Sequence, residues 1–258
     1  CGGAVLLYGW DRMYVINSTF INNTAIDGAA YYSLDYSRVV TKEYISGSVF
    51  INNTASRYAD VFVFLDSNAT IRNSIFLNYS DFIFSTSNST VNANYNWFGN
   101  TYDNRSKKPF DDYNTILTKW LYLDVIPKIN STSIISINNV YDDLTGETST
   151  FTTSVLPAID VNVKSEEIEF STGKVALNHS GAGELKYDLD ADANITVGYE
   201  NVEYTKTVTY GSFAKLQNMI NNADENSIIR LNRDYEYDTG DASMGIKWIR
   251  FYNKNNIT

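Results

Sequence analysis

The stretch "VINSTFINNTA" (Val15–Ala25) returns as "ISGSVFINNTA" (Ile45–Ala55) and, in degraded form, as "IRNSIFLNYS" (Ile71–Ser80). An aliphatic leads each copy: Val15, Ile45, Ile71. Five residues on stands a phenylalanine, Phe20, Phe50 or Phe76, then Ile21, Ile51 or Leu77, then Asn22, Asn52 or Asn78. A straight strand sends residues an odd number apart to opposite faces. A corner between them, at Asn17–Ser18, Gly47–Ser48 and Asn73–Ser74, lets both point inward. That is the logic of a parallel β-helix, in which equivalent residues of successive coils stack about 4.8 Å apart.

The repeat therefore predicts a column of phenylalanines inside the coil and an amide ladder of Asn22, Asn52 and Asn78. A fourth copy is expected from Val91 in "VNANYNWFGN". A second element recurs between the copies: "GGAVLLY" (2–8), "GAAYYS" (28–33), "YADVFVF" (58–64) and "YSDFIFS" (79–85). The copies are spaced 30, 26 and 20 residues apart. The length differences place insertions such as 34–43 in loops, where solenoids carry binding surfaces. Trp97 and Phe98 are expected to cover the open end of the stack. A β-sandwich with chance-similar strands is the competing reading.

Further along the texture changes. Polar residues 101–118 read as a cap or linker. From "KWLYLDVI" (119–126) short alternating runs follow at about ten-residue spacing, separated by "DDLTGE", "STG", "SGAG" and "DAD". This predicts an immunoglobulin-like antiparallel sandwich over 119–210. Ser212 then offers an N-cap, and Phe213, Leu216, Ile220 and Ala223 share one helical face. We expect a capping helix at 213–223, a strand at 227–232, and the first coil of a second β-helix from 245. The expected organisation is an all-β chain: C-terminal coils of a β-helix over 1–100, the cap or linker, the sandwich, and a truncated helix-capped second β-helix over 211–258. Without an initiator methionine or signal peptide, the chain reads as an internal fragment.

The 258 residues carry 20 basic and 30 acidic side chains, and residues 119–210 hold 6 and 14 of them. No basic patch suggests nucleic-acid binding, and no apolar run is long enough for a membrane span. One cysteine, Cys1, and one histidine, His179, leave no disulfide framework and no Cys/His zinc site within these residues.

Chemistry-bearing candidates are few. Asp188, Asp190 and Asp192 alternate as at the start of a calcium loop, yet Ala193 and Tyr199 stand where Gly and Glu are needed. They are weak metal candidates, so calcium is at most an optional cofactor. Asp60 and Asp81 take equivalent places in neighbouring coils, as the stacked acids of β-helix lyases do, with Arg57 or Arg72 as the base such an enzyme requires. His179 lies in a turn without a nucleophile motif. Sequons occur at Asn17, Asn22, Asn52, Asn68, Asn78, Asn88, Asn104, Asn130, Asn178, Asn194 and Asn256, which makes those outside the ladder candidates for glycosylation. Exposed members of the set Tyr31, Tyr32, Tyr36, Tyr44, Tyr58, Phe62, Phe64, Phe82 and Phe84 could stack on sugar rings, although alternation sends half of such residues inward as core.

In this order, "STFINNTA" with "GGAV", then "NYNWFGN", "WLYLDV" and "LQNMINNA…SIIRLNRDYEY" resemble the adhesin-like surface proteins of methanogenic archaea. The resemblance covers most of the chain. It implies right-handed, pectate-lyase-like β-helix repeats joined to immunoglobulin-like modules, an extracellular location at the cell wall, and an adhesive, non-enzymatic role with carbohydrate or cell-surface ligands. The competing expectations are a polysaccharide lyase or esterase and a purely structural stalk.

Overall fold

The computed structural model describes residues 3–9, 12–34, 42–86, 88–128, 132–189, 192–209, 211, 213–224, 227–229 and 235. The chain is all-β and begins as a β-solenoid of about 4 turns. The first coil contains β1 (Val5–Tyr8), β2 (Tyr14–Ile16), β3 (Thr19–Ile21) and β4 (Thr24–Ala25). The second contains β5 (Tyr31–Leu34), β6 (Lys42–Ser46), β7 (Val49–Ile51) and β8 (Thr54–Ala55). The third contains β9 (Phe62–Leu65), β10 (Asn68–Arg72) and β11 (Ile75–Leu77), and the fourth β12 (Ile83–Ser85), β13 (Thr90–Asn92) and β14 (Trp97–Thr101). Parallel pairing joins like strands into three sheets: β1-β5-β9-β12, β2-β6-β10-β13 and β3-β7-β11-β14.

The register is the one the repeat demands. Val15 stands opposite Ile45 and Ile45 opposite Ile71, and Phe20, Phe50 and Phe76 are in line. Their rings stack at 4.7 Å and 4.8 Å. Val91 departs from expectation: it pairs with Ala69, two residues before Ile71. Phe98 also differs, continuing the stack over Phe76 at 5.4 Å while Trp97 points out of the coil into a separate core. The end of the stack is covered by Phe110, 4.4 Å from Phe82, and by fully buried Trp120, whose Nε1 donates to the Arg105 carbonyl.

Corners are set by left-handed residues and a hydroxyl ladder. Asn17, Gly47, Asn73 and Tyr95 have φ of 49°, 64°, 54° and 63°. The serine after each of the first three takes up the next coil's polar groups. Ser18 N donates to Ser48 Oγ and Ser48 N to Ser74 Oγ, each at 3.1 Å, and Ser74 N donates to Asn96 Oδ1 at 3.0 Å. Each serine hydroxyl in turn donates to the carbonyl two residues back. The expected amide ladder is displaced by one residue. Asn22, Asn52 and Asn78 do occupy equivalent places, but at φ 58°, 54° and 56° they are turn residues, and Asn22 and Asn52 are exposed. Asn23 Nδ2 donates to Asn53 Oδ1 at 2.8 Å, and buried Asn53 donates to the Phe20 carbonyl. Asn and Gly tolerate left-handed backbone at least strain, which is why the column of repeated asparagines forms the turn.

The solenoid passes directly into the second half. β15 (Thr115–Ile116), inside the stretch read as cap or linker, pairs with β13. β16 (Lys119–Lys128) extends the third solenoid sheet by pairing parallel with β14 and then antiparallel with β17 (Thr132–Asp142). β18 (Thr148–Thr150) and, later in the chain, β21 (Ala182–Lys186) also pair with β17. A second antiparallel sheet has the order β20-β19-β22-β23, formed by β19 (Ile159–Lys164), β20 (Lys174–Leu177), β22 (Ala193–Tyr199) and β23 (Val202–Val208). "EIEF" (167–170) forms no strand.

Both sheets share one core with the outer face of the solenoid's third sheet. Val49, Ile51, Ile75, Leu77 and Trp97 are buried together with Leu121, Val161, Ile195 and Tyr204. In the first coil the outward position opposite Val49 and Ile75 is Thr19, and it is exposed. Apolar residues on both faces of a strand signal a sheet covered on both sides. Helix α1 (Phe213–Asn221) buries Leu216. Residues 227–229 of the strand expected at 227–232 form no strand; its other half, Asp190, Asn130, Tyr36, Ser212 and Asn256, and the expected second β-helix lie outside the described residues.

Candidate functional site

Alternation along β5, β9 and β12 sends Tyr31, Phe62 and Ile83 inward and Tyr32 and Phe84 outward. The outer face of this first sheet is apolar, with Leu6 and Tyr8 exposed at one end and Leu34, Leu65 and Phe84 half-buried beyond them. At its border Tyr58 stacks on Phe84 at 4.4 Å, with 23° between the rings. Tyr58 has φ 59° and is 46% exposed, so part of its ring is accessible to solvent.

An ion pair braces this aromatic ledge. Arg57 Nε and Nη2 donate to Asp27 Oδ1 and Oδ2 at 2.7 and 2.8 Å. The Asp27 side chain is 3% exposed and that of Arg57 60%. The Arg57 guanidinium also lies 4.9 Å from the Tyr58 ring centroid. Hydrogen bonding from Arg57 holds the Asp27 carboxyl below the ordinary carboxylate range, and the same bond raises Arg57. The paired charges cancel while aromatic surface and outward N–H groups remain, which suits a neutral ligand with an apolar face and hydroxyls.

Of the sequence-marked acids, Asp60 serves the backbone instead. Asp60 Oδ1 accepts from Ala55 N at 2.7 Å, and its Oδ2 accepts from Ser80 N at 2.7 Å and Asp81 N at 3.3 Å. Asp81 is exposed, and desolvation followed by repulsion from Asp60 and Asp112 raises its carboxyl. Arg57 is committed to Asp27, and Arg72 lies in the second sheet, its buried Nε without a partner. The arrangement thus does not bring Arg57 or Arg72 into an ion pair with Asp60 or Asp81. His179 is exposed and its Nδ1 lies 2.7 Å from the Leu156 carbonyl, closing a turn. Asp188 and Asp192 are exposed. Among the described residues no three His, Cys, Asp or Glu side chains group to hold a metal ion.

Of the glycosylation candidates, Asn17, Asn88, Asn104, Asn178 and Asn194 are exposed and Asn68 is half-buried. The Asn68 amide oxygen accepts from Thr90 N at 2.7 Å. The aromatics divide by parity: Tyr31, Phe62, Phe64 and Phe82 are core, whereas Tyr44, Tyr58 and Phe84 are accessible.

One buried polar group had gone unread. Glu43 is 2% exposed inside the coil, where its carboxylate accepts hydrogen bonds from the Tyr31 and Ser33 hydroxyls. Its signal was parity: Glu43 stands two residues before inward-facing Ile45, so it must face inward as well.

No protein-family model, curated protein or solved structure matches this chain. Among the described residues no helix is long and apolar enough to cross a membrane.

Proposed function

We propose that this chain is part of a non-enzymatic, extracellular surface adhesin that contacts polysaccharide or glycosylated cell surfaces through the outer face of its first solenoid sheet. The observation that carries the proposal is the Tyr58–Phe84 stack beside the Arg57–Asp27 pair. Together they offer partly exposed aromatic surface next to fixed N–H donors, a combination suited to packing on sugar rings and orienting their hydroxyls. The archaeal adhesin-like resemblance, with its right-handed β-helix and immunoglobulin-like module, agrees with this role, and the strand count and turn spacing after Lys119 support the module.

The adhesin is favoured over a lyase because Asp60 is fully engaged by three backbone amides. A lyase needs acids free to hold calcium and a base beside them.

The test is retention of the full 258-residue chain on immobilised plant, bacterial and host glycans and on whole cells. Saturable retention with the glycan intact, lost in Tyr58→Ala, is the expected result. Release of shortened glycan would replace the adhesin with a lyase or esterase, and absence of retention everywhere would leave a structural stalk.

A further inference from the structure

Three asparagines recur at one turn of the coil, and each begins an Asn-x-Ser/Thr triplet: Asn22 with Thr24, Asn52 with Thr54 and Asn78 with Ser80. All three have left-handed backbone, at φ 58°, 54° and 56°. That conformation admits asparagine but does not require it. The other corner column is equally left-handed and reads Asn17, Gly47, Asn73 and Tyr95, and only Asn17 there begins such a triplet. The turn thus needs a left-handed residue, whereas the triplet is an addition that the backbone does not call for.

The hydroxyl positions follow suit. Thr24 and Thr54 stand opposite each other in β4 and β8, where any β-branched residue would serve the strand. Both are exposed, and neither hydroxyl makes a hydrogen bond among the described residues. The Asn22 and Asn52 side chains are likewise exposed and unbonded. Their chain neighbours are engaged: Asn23 Nδ2 donates to Asn53 Oδ1 at 2.8 Å, and Asn53 Nδ2 donates to the Phe20 carbonyl at 3.0 Å. Each Asn-Asn pair therefore gives one amide to the ladder and leaves the other accessible, with an accessible hydroxyl two residues on. Ile21 and Ile26, 47% and 57% exposed, flank Asn22. They are apolar surface that a bulky, solubilising glycan would cover. Asn78 is half-buried and is not assigned.

We infer that Asn22 and Asn52 are N-glycosylation sites, each taking its glycan from a lipid-phosphate-linked oligosaccharide. In the transfer the asparagine Nδ2 forms a bond to the anomeric carbon, the bond from that carbon to the phosphate oxygen breaks, and one amide proton leaves with the lipid phosphate. Such acceptors belong to secreted proteins, so the sites rest on the extracellular part of the reading above and are independent of what the Tyr58 ledge binds.

The experiment expresses the full 258-residue chain behind a secretion signal in a cell that makes N-glycans. Four proteins are compared: the parent, Asn22→Gln with Asn52→Gln, Thr24→Val with Thr54→Val, and Tyr58→Ala. Peptides are mapped by mass spectrometry after treatment with peptide N-glycosidase, which leaves aspartate where a glycan was attached. Glycan is expected on Asn22 and Asn52 in the parent and in Tyr58→Ala, with complete loss from both positions in the other two. The threonine-to-valine protein keeps both asparagines and the β-branched shape. Its unfolding midpoint should match that of the parent made in a host without N-glycosylation, which separates loss of the triplet from loss of the fold. Either asparagine bare in the secreted, folded parent would overturn its assignment, whether or not Asn17, Asn104 or Asn194 is modified. Glycan that survives the threonine-to-valine changes would also overturn it, since the triplet would then not direct the transfer. Retention on immobilised glycans is measured alongside. It should be unchanged in the two triplet variants and lost in Tyr58→Ala, so failure of the sites and failure of the adhesin reading are read separately.

Discussion

The amide of Ser48 donates to the hydroxyl oxygen of Ser74, 26 residues later in the chain and one coil along, at 3.1 Å. Both residues are fully buried, and Ser74 Oγ also donates to the Arg72 carbonyl. One hydroxyl thus satisfies two backbone groups where the chain turns and the sheets cannot. Ser74→Ala should cost about 1–3 kcal/mol by leaving a buried N–H unpaired. Ser74→Asn should recover part of it, because Asn96 already fills the equivalent role in the next coil. Urea unfolding curves of the three proteins give the comparison, and equal midpoints would show the ladder to be dispensable.

Phe50 lies between Phe20 and Phe76 with 1% exposure. Phe50→Ala should destabilise by about 3–5 kcal/mol. Phe50→Asp should unfold the solenoid altogether, since no partner for a charge exists inside the ring column. Thermal unfolding followed by circular dichroism decides this, and an unchanged midpoint in the aspartate variant would rule out the stacked interior.

Gly47 is the single glycine in a corner column that otherwise reads Asn17, Asn73 and Tyr95. Its φ of +64° alone would accept asparagine, but a Cβ there would stand 2.9 Å from the Val155 carbonyl. Gly47→Asn should therefore destabilise by about 1–3 kcal/mol, although asparagine serves at the same corner one coil on either side. Full stability in a urea melt would mean that the 155 loop does not lean on the solenoid.

Folding raises the carboxyls of Asp81, by desolvation and then by repulsion from Asp60 and Asp112, and of Asp124, mainly by desolvation. A raised acid binds its proton more tightly when folded. Its contribution is thus complete below the unfolded value of about 3.9 and declines as pH rises through the folded value. Asp27 and Asp142 are lowered by their Arg57 and Lys119 partners, and Glu167 by backbone and serine hydrogen bonds. Their contribution is present above the unfolded value and is lost as pH falls through the folded one. Stability should accordingly peak on the acid side of neutrality, at pH of about 4–5, and decline on both sides. Asp81→Asn should flatten the decline toward neutral pH. Urea midpoints measured from pH 3 to 8 test this, and a monotonic rise to pH 8 would contradict it.

The solenoid was legible because stacking forces equivalent residues into identical surroundings, so the interior columns appear in the sequence as literal repetition. Val15, Ile45 and Ile71 and the three phenylalanines could be placed from spacing alone. The hydrogen-bonding roles were harder to read. Repetition identifies which residues are equivalent, but Asn22 and Asn52 turn the chain while Asn23 and Asn53 pair, and in the first two copies both columns repeat equally well. Val91 went to the wrong register because the fourth copy keeps the pattern of apolar residues without their spacing. At the candidate site, Tyr58 and Phe84 could be named as aromatic, but only the packed structure shows that both remain partly accessible at the edge of the first sheet.

By itself the sequence determined a coil: its interior columns, its corners and its break in texture near Lys119. The tertiary structure decided what lies against the coil. Strand β16 belongs to both halves because its backbone pairs with β14 on one edge and β17 on the other. Such pairing is made by peptide groups common to every residue, so it leaves little trace in side-chain identity. The trace that did exist, Thr19 giving way to Val49, Ile75 and Trp97 at one outward position, becomes readable only once the second half is seen packed against those three residues.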